Sequence, residues 1–288
     1  MMDFAVAGEI YIDIVMSGFP EWPKPGEEHF ATQFRREVGG GAPITAAGLA
    51  KLGRGVTLEC TVGREDGGWV IQRLKSLGVD TSAIRFDENE PTAATVAVSS
   101  PSDRAFFTYR GANRNPEGPP VAARHTHLAI GLSTHLCDRV GLLQSKGQTV
   151  SADIGWNTAT SDVLSQLKGV DFFFPNEAEG ERITGEREPE AMLHAFARAG
   201  FRSVALKLGE NGSALLWNGS IYRAPAPKVS PVETTGAGDA FNAGFLHSWM
   251  NGGDPVDWLK AGNFCGAMST RALGGMAGLA TAQEFACR

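Results

Sequence analysis

The segment Glu233-Thr234-Thr235-Gly236-Ala237-Gly238-Asp239-Ala240-Phe241 joins small residues, a carboxylate and the start of a helical stretch. Small residues let the backbone turn tightly and let a ligand approach it. The unpaired N–H groups of a helix's first turn form an anion site. A carboxylate beside such a nest repels phosphate, so Asp239 is an odd choice for phosphate binding alone. It makes chemical sense as a base that takes a proton from a hydroxyl attacking a phosphoryl group. In isolation the same residues also fit a plain glycine-rich helix start whose acid favours the dipole.

Two common phosphate motifs are excluded. The chain has no GxxxxGK[ST]. The Gly236/Gly238 pair lacks the third glycine of a dinucleotide fingerprint, because Phe241 stands there, and it falls late in the chain. Other residues could join the chemistry. Asn176 and Glu179 lie three apart and so share one helix face. On their own they fit a helix capping box, with Asn176 as N-cap and Glu179 as the returning carboxylate. Lys207 ends an apolar run before a glycine turn, Lys207-Leu208-Gly209-Glu210-Asn211-Gly212.

These residues need elements to hold them. Residues 4–8 read as a buried strand and residues 16–36 as an irregular excursion. Gly39-Gly40-Gly41 precedes a helix over 42–51, closed by Gly53. A strand is expected over 56–62 and a helix over 69–77. Residues 93–109 alternate about a turn at Ser102-Asp103, as a hairpin does, and with residues 28–36 would make a small antiparallel sheet. Further on, strands are expected over 128–131, 149–152, 171–174, 203–208, 214–217 and 221–224. Helices are expected over 136–143, 159–167, 177–183, 189–198, 237–250 and 255–273. This alternation predicts an α/β fold: a mainly parallel sheet with helices on both faces, plus a small β excursion. Residues 1–288 form one domain, with the excursion built from about 16–36 and 93–110.

A formal charge of −6 argues against a nucleic-acid partner. No stretch reaches the ~18 consecutive apolar residues of a membrane span. The N-terminus has no basic segment followed by an apolar run. Cys60, Cys137, Cys265 and Cys287 show no metal-binding spacing, so reduced thiols in a cytoplasmic protein are expected.

Taken together, the motifs resemble those of the ribokinase-like (PfkB) carbohydrate kinases, in the family's order. Thr234-Thr235-Gly236-Ala237-Gly238-Asp239 resembles the C-terminal signature. Gly39-Gly40, with the helix ending Lys51-Leu52-Gly53, resembles the N-terminal one. Gly8 with Asp13, read at the end of the first strand, resembles the sugar-binding opening. Asn176-Glu177-Ala178-Glu179 resembles the NxxE motif, and the turn after Lys207 the nucleotide-binding turn. Asn263, with Ser269-Thr270-Arg271 and Gly274, resembles the adenine-side helix. The resemblance spans about residues 4–282.

It implies an ATP-dependent kinase acting on a hydroxyl of a small sugar or nucleoside. Asp239 would be the base, and the turn Thr235-Gly236-Ala237-Gly238 the anion hole. Lys207, Gly209, Gly212, Thr235 and Asn263 would bind ATP. Asn176 and Glu179 would organise Mg2+ largely through water, and a K+ requirement is left open. Asp13, Gly39 and Gly40 would line the acceptor pocket with Asp239. The small β excursion would be a β lid, with lid segments at about 16–36 and 93–110, that closes over the acceptor and joins two copies as a homodimer. Three positions depart from the family. Ile44 and Tyr11 stand where asparagines are usual, and Glu233 replaces an aspartate. Ile44 and Tyr11 fall on the acceptor side and point to a less polar acceptor there. A vitamin or pyrimidine-precursor kinase of the same superfamily, or a non-catalytic sugar-binding homologue, are the competing readings.

Overall fold

The computed structural model describes residues 1–22, 24, 26–100, 104–114, 119–129, 136–155, 159–167 and 169–288. Along the chain come β1 (Met2–Gly8), β2 (Tyr11–Ser17), β3 (Gln33–Gly39), α1 (Gly41–Lys51), β4 (Val56–Glu59), β5 (Thr61–Gly63), α2 (Gly67–Ser76), β6 (Arg85–Asp87), β7 (Ala94–Ser99) and β8 (Arg104–Tyr109). The second half adds β9 (Ala123–Ala129), α3 (Leu136–Ser145), β10 (Thr149–Asp153), α4 (Val163–Gln166), β11 (Phe172–Phe173), α5 (Glu177–Thr184), α6 (Pro189–Arg198), β12 (Ser203–Lys207), β13 (Ser213–Trp217), β14 (Ser220–Ala224), α7 (Ala237–Met250), α8 (Pro255–Ser269) and α9 (Ala282–Ala286).

The large sheet has the order β14-β13-β12-β11-β10-β9-β1-β4. Its strands pair in parallel from β4 through β12, and β13 and β14 close one edge antiparallel. The central strands are buried on both faces, and in β1 this gives a continuous apolar run from Phe4 to Ala7. Val6 packs into one core with residues of α1, α7 and α8, while its neighbour Ala7 packs into a second with residues of α3 and α6. Successive strand residues thus serve opposite layers.

A second sheet has the order β3-β2-β7-β8. It is mixed rather than antiparallel throughout, because β2 and β7 pair in parallel. Asp13 lies inside β2, not at the end of the first strand. The chain breaks after Gly8, and Tyr11-Ile12-Asp13-Ile14 resumes as a new strand. The expected strand over 56–62 is two strands. β4 stays in the large sheet, while β5 pairs with β6 apart from it. β9 starts at Ala123, well before the expected 128, since His125, Thr126 and His127 interrupt the apolar signal of a buried strand. α8 stops at Ser269, where Thr270 caps it, and the chain turns back at Gly274. The turn expected at Ser102-Asp103 and the end of the strand expected over 128–131 lie outside the described residues.

Cys60, Cys265 and Cys287 are free thiols; the Cys137 side chain lies outside the described residues. Among the described residues, no helix is long and apolar enough to cross a membrane.

Candidate active site

Open parallel sheets place ligands outside the carboxyl ends of their strands. Asp153 is the last residue of β10 and Lys207 the last of β12. Lys207 Nζ sits 2.7 Å from Asp153 Oδ2, with both side chains nearly buried. Asn242, one turn into α7, donates its Nδ2 to the same oxygen at 2.5 Å. Burial works against a charge on Lys207, yet the Asp153 and Glu179 carboxylates outweigh it and raise its pKa.

Asp239 stands in the first turn of α7. Gly236 caps that helix with φ +78, a left-handed conformation suited to glycine, and no side chain caps it. The helix start is therefore left open to an anion. A Cβ on Gly238 would stand 3.3 Å from Lys207 Nζ, so the turn passes directly over the ammonium group. Burial first, and then the Asp153 charge, push Asp239 up to about 7, with Lys207 opposing. A base in that range is poised for proton transfer near neutral pH.

Glu179 shares this field. Burial and Asp153 push it up to about 7. Asn176 Oδ1 accepts from Glu179 N at 2.9 Å and Glu179 Oε2 accepts from Asn176 N at 2.9 Å, so the capping box is formed. The cap fixes the Glu179 carboxylate beside the charged cluster instead of leaving it in solvent. Among the described residues, no group of three or more His, Cys, Asp or Glu side chains is arranged to hold a metal directly. The oxygen donors of Asn176 and Glu179 fit an ion that keeps most of its waters, as magnesium does.

The side expected to take the acceptor lies at the start of α1, whose N-cap Gly40 also lacks a capping side chain. A Cβ on Gly39 would overlap Asp13 Oδ2, and a Cβ on Gly41 would stand 2.8 Å from Asp239 Oδ1. Bare backbone thus runs from Asp13 to Asp239. Burial, then the charges of Glu233 and Glu37, raise Asp13 to about 6. Tyr11 donates its hydroxyl to Glu9 at 2.7 Å. Ile44 is buried in the core, its Cδ1 3.0 Å from a Cβ built on Gly236, so it supports the α7 turn from below. The neighbouring Thr45 hydroxyl donates to the Asp239 carbonyl at 3.2 Å. Glu233 Oε2 accepts from Gly274 N at 2.6 Å, tying the segment before α7 to the loop after α8. Of the arginines near the second sheet, Arg36 lies 4.1 Å over Trp69 and Arg114 pairs with Asp87.

On the other side of Lys207, Gly209 and Gly212 flank a short 3₁₀ turn with φ +58 and +90. A Cβ on Gly212 would overlap the Ala224 carbonyl. Asn263 Nδ2 donates to the carbonyls of Ala224 at 3.0 Å and Pro225 at 3.2 Å. Its amide is spent on backbone, and it pins the segment that packs on Gly212.

The structure thus brings together Asp239, the Gly236–Gly238 turn, Lys207, Asn176 and Glu179, with Asp13 and Gly39 to Gly41 beside them on the side expected to take the acceptor. Sequence reasoning missed Asp153 and Asn242. An acid at the carboxyl end of an expected parallel strand was the available signal for Asp153. A cavity of about 460 Å³ at the opposite end of the sheet is lined by Thr149, Asp171, Ser203, Trp217 and Trp249, and none of the site residues borders it.

Residues 1–282 match the family model described as pfkB family carbohydrate kinase. The 2-dehydro-3-deoxygluconokinase of Bacillus subtilis (strain 168) is 30% identical, over 91% of this chain and 89% of its own length. The ATP-dependent ribose-1-phosphate kinase of Halopiger xanaduensis is 31% identical, over 91% and 90%. Among solved structures, Arabidopsis thaliana ribokinase complexed with ribose and ATP superposes with a TM-score of 0.86 at 23% identity, covering 99% of this chain and 98% of that one. A putative ribokinase II from E. coli, in complex with ATP and Mg+2, superposes at 0.83 with 21% identity, covering 100% and 98%.

Proposed function

The chain belongs to the pfkB family of carbohydrate kinases, and from that premise we propose that it transfers the γ-phosphoryl group of ATP to a hydroxyl of a free sugar or nucleoside, with Asp239 as general base. The observation that carries this reading is the placement of the Asp239 carboxylate between the bare backbone at Gly41 and the uncapped start of α7, above Lys207. An acceptor hydroxyl held there meets the base on one side and the anion site on the other.

Asp13 accepts hydrogen bonds from other acceptor hydroxyls and fixes which hydroxyl reaches Asp239. Asp239 takes the proton as the oxygen attacks. The backbone from Thr235 to Gly238 stabilises charge developing on the transferred group. Lys207, kept charged by Asp153, holds the nucleotide phosphates. Gly209 and Gly212 let the chain approach the nucleotide, and Asn263 shapes that wall through the backbone it pins. Magnesium, when bound, supplies neutralising charge on the phosphate oxygens, and Asn176 and Glu179 would hold it through water.

The second sheet acts as the lid that excludes water from the activated phosphoryl group. One of its faces carries Phe34, Met16 and Val98 in one row across the strands and Val96 and Phe107 in the next, with Phe34 67% and Phe107 62% exposed. An apolar face of this kind fits a second copy of the chain, giving a homodimer through the lid. Magnesium-dependent release of ADP, measured against a panel of sugars and nucleosides, tests the function. Turnover with at least one acceptor is expected, and no turnover with any would contradict it.

A further inference from the structure

Two histidines lie deep beneath the site in an otherwise aromatic layer. His125 and His127 on β9 are 0% exposed and are packed edge-on against Phe4, Trp249 and Phe174. They face Thr149 and Ser151 across the β9–β10 register. Thr149 Oγ1 is 2.8 Å from His125 Nδ1, His125 Nε2 is 2.7 Å from Ser151 Oγ, and Ser151 Oγ is 2.8 Å from His127 Nδ1. The next residue of β10 on this face is Asp153, which carries Lys207 and Asn242.

Burial holds both imidazoles neutral, His125 well below its usual range and His127 at about 4. A neutral imidazole has one N–H and one lone pair, and Ser151 has one hydroxyl proton. The two bonds of His125 therefore run in one sense, while Ser151 either passes its proton on to His127 Nδ1 or accepts from both rings. The ladder ends at His127 Nε2, which is buried and has no partner among the described residues. Thr149 Oγ1 lies 2.8 Å from His125 Nδ1 and 3.4 Å from the Arg124 carbonyl; with its proton on the nearer His125 and the Ser151 proton on His127 Nδ1, an N–H stands at His127 Nε2, the sense that the Asp153 charge favours. Asn242 Oδ1, on the residue that donates to Asp153, is likewise buried without a partner among the described residues. A buried polar atom left unsatisfied costs ~1–3 kcal/mol. One donor, one acceptor and a carboxylate are the partners a single internal water takes.

We propose that His127 is a positioning residue for phosphoryl transfer: with Asn242 it holds a buried water against Asp153, and that water fixes the carboxylate on which Lys207 rests. The ladder through Ser151, His125 and Thr149 sets the His127 tautomer. The proposal rests on the reading of Asp239 and Lys207 given above. His127 touches neither substrate, so its effect falls on kcat and not on acceptor binding.

His127→Phe keeps the ring packed on Phe174 and removes both nitrogens. His127→Gln keeps a donor near the Nε2 position. In the full-length enzyme, kcat of His127→Phe is expected to fall about 10- to 100-fold, the range of other supporting-shell losses, with acceptor KM unchanged. His127→Gln should recover most of it. Wild-type kcat in His127→Phe, or a His127→Gln variant as slow as His127→Phe, overturns the proposal. Should His127→Phe not fold, Ser151→Ala cuts the same ladder, and an unchanged kcat there overturns it equally. Asp239→Asn assayed in parallel separates the two ideas, since full activity in that variant defeats the base reading whatever His127 does.

Discussion

Gly41 and Asp239 face each other across the mouths of two helices: a side chain begun on Gly41 would meet Asp239 Oδ1 at 2.8 Å. The starts of α1 and α7 are both uncapped, and the gap between them is kept open by the absence of that Cβ. Gly41 does not need a left-handed backbone, since its φ is not among the positive ones. Close approach, not conformation, requires glycine here.

Gly41→Ala should therefore fold normally and act on the acceptor. Filling a tight site costs ~1–3 kcal/mol, so acceptor KM should rise roughly 5- to 150-fold. ATP KM should stay near wild type, while kcat falls because the new Cβ pushes the Asp239 carboxylate aside, and Tm drops by no more than such overpacking costs. Steady-state kinetics with each substrate varied in turn, plus a melting curve, check this. A rise in ATP KM alone would place the nucleotide, and not the acceptor, against Gly41.

Glu179→Gln separates the two roles of the capping box. Glutamine still accepts from Asn176 N, so the cap survives, but the charge is gone. The magnesium concentration for half-maximal rate should rise while Tm holds or increases. A lower Tm with an unchanged magnesium titration would leave Glu179 a cap only.

Lys207→Met leaves Asp153 buried without its counter-ion, which typically costs ~3–5 kcal/mol. Tm should drop, and Asp153→Asn added to it should restore Tm without restoring activity. Thermal melts and kcat on the two single variants and the double variant test the pair. Recovery of activity in the double variant would remove Lys207 from the nucleotide phosphates.

The raised pKa of Asp239 has consequences for rate and for stability. The base works deprotonated, so kcat/KM should rise with pH through a limb centred near 7. For stability the sign is opposite. The fold binds this proton more tightly than the unfolded chain does. The stabilisation is full below about 4 and is lost as pH climbs through about 7. Asp239→Asn removes that loss, so its Tm should exceed wild type at pH 8 by more than at pH 5. A wild-type limb near pH 4 would mean that Asp239 is not held as described.

Much of this site was legible in the sequence because its parts are local. The Gly236-Ala237-Gly238-Asp239 turn, the Asn176/Glu179 pair and Lys207 before its glycine turn each announce themselves within a few residues. Asp153 and Asn242 do not, because their roles exist only once β10, β12 and α7 converge. The polar ladder under the site hid a strand: His125, Thr126 and His127 break the apolar run that marks β9. Ile44 shows the converse limit. Its place in the motif suggested a pocket wall, whereas the fold turns it under Gly236, and neighbouring Thr45 makes the polar link to α7. Position in a motif gives the segment, and helix phase decides which way the side chain goes.

The central claim is that Asp239 takes the proton of the attacking hydroxyl, and kcat of Asp239→Asn on the best acceptor tests it most directly. A positioned base contributes ~10²–10⁴-fold, so kcat should fall by about that factor while ATP still binds with near wild-type affinity. An Asp239→Asn enzyme that turns over at the wild-type rate would contradict the account.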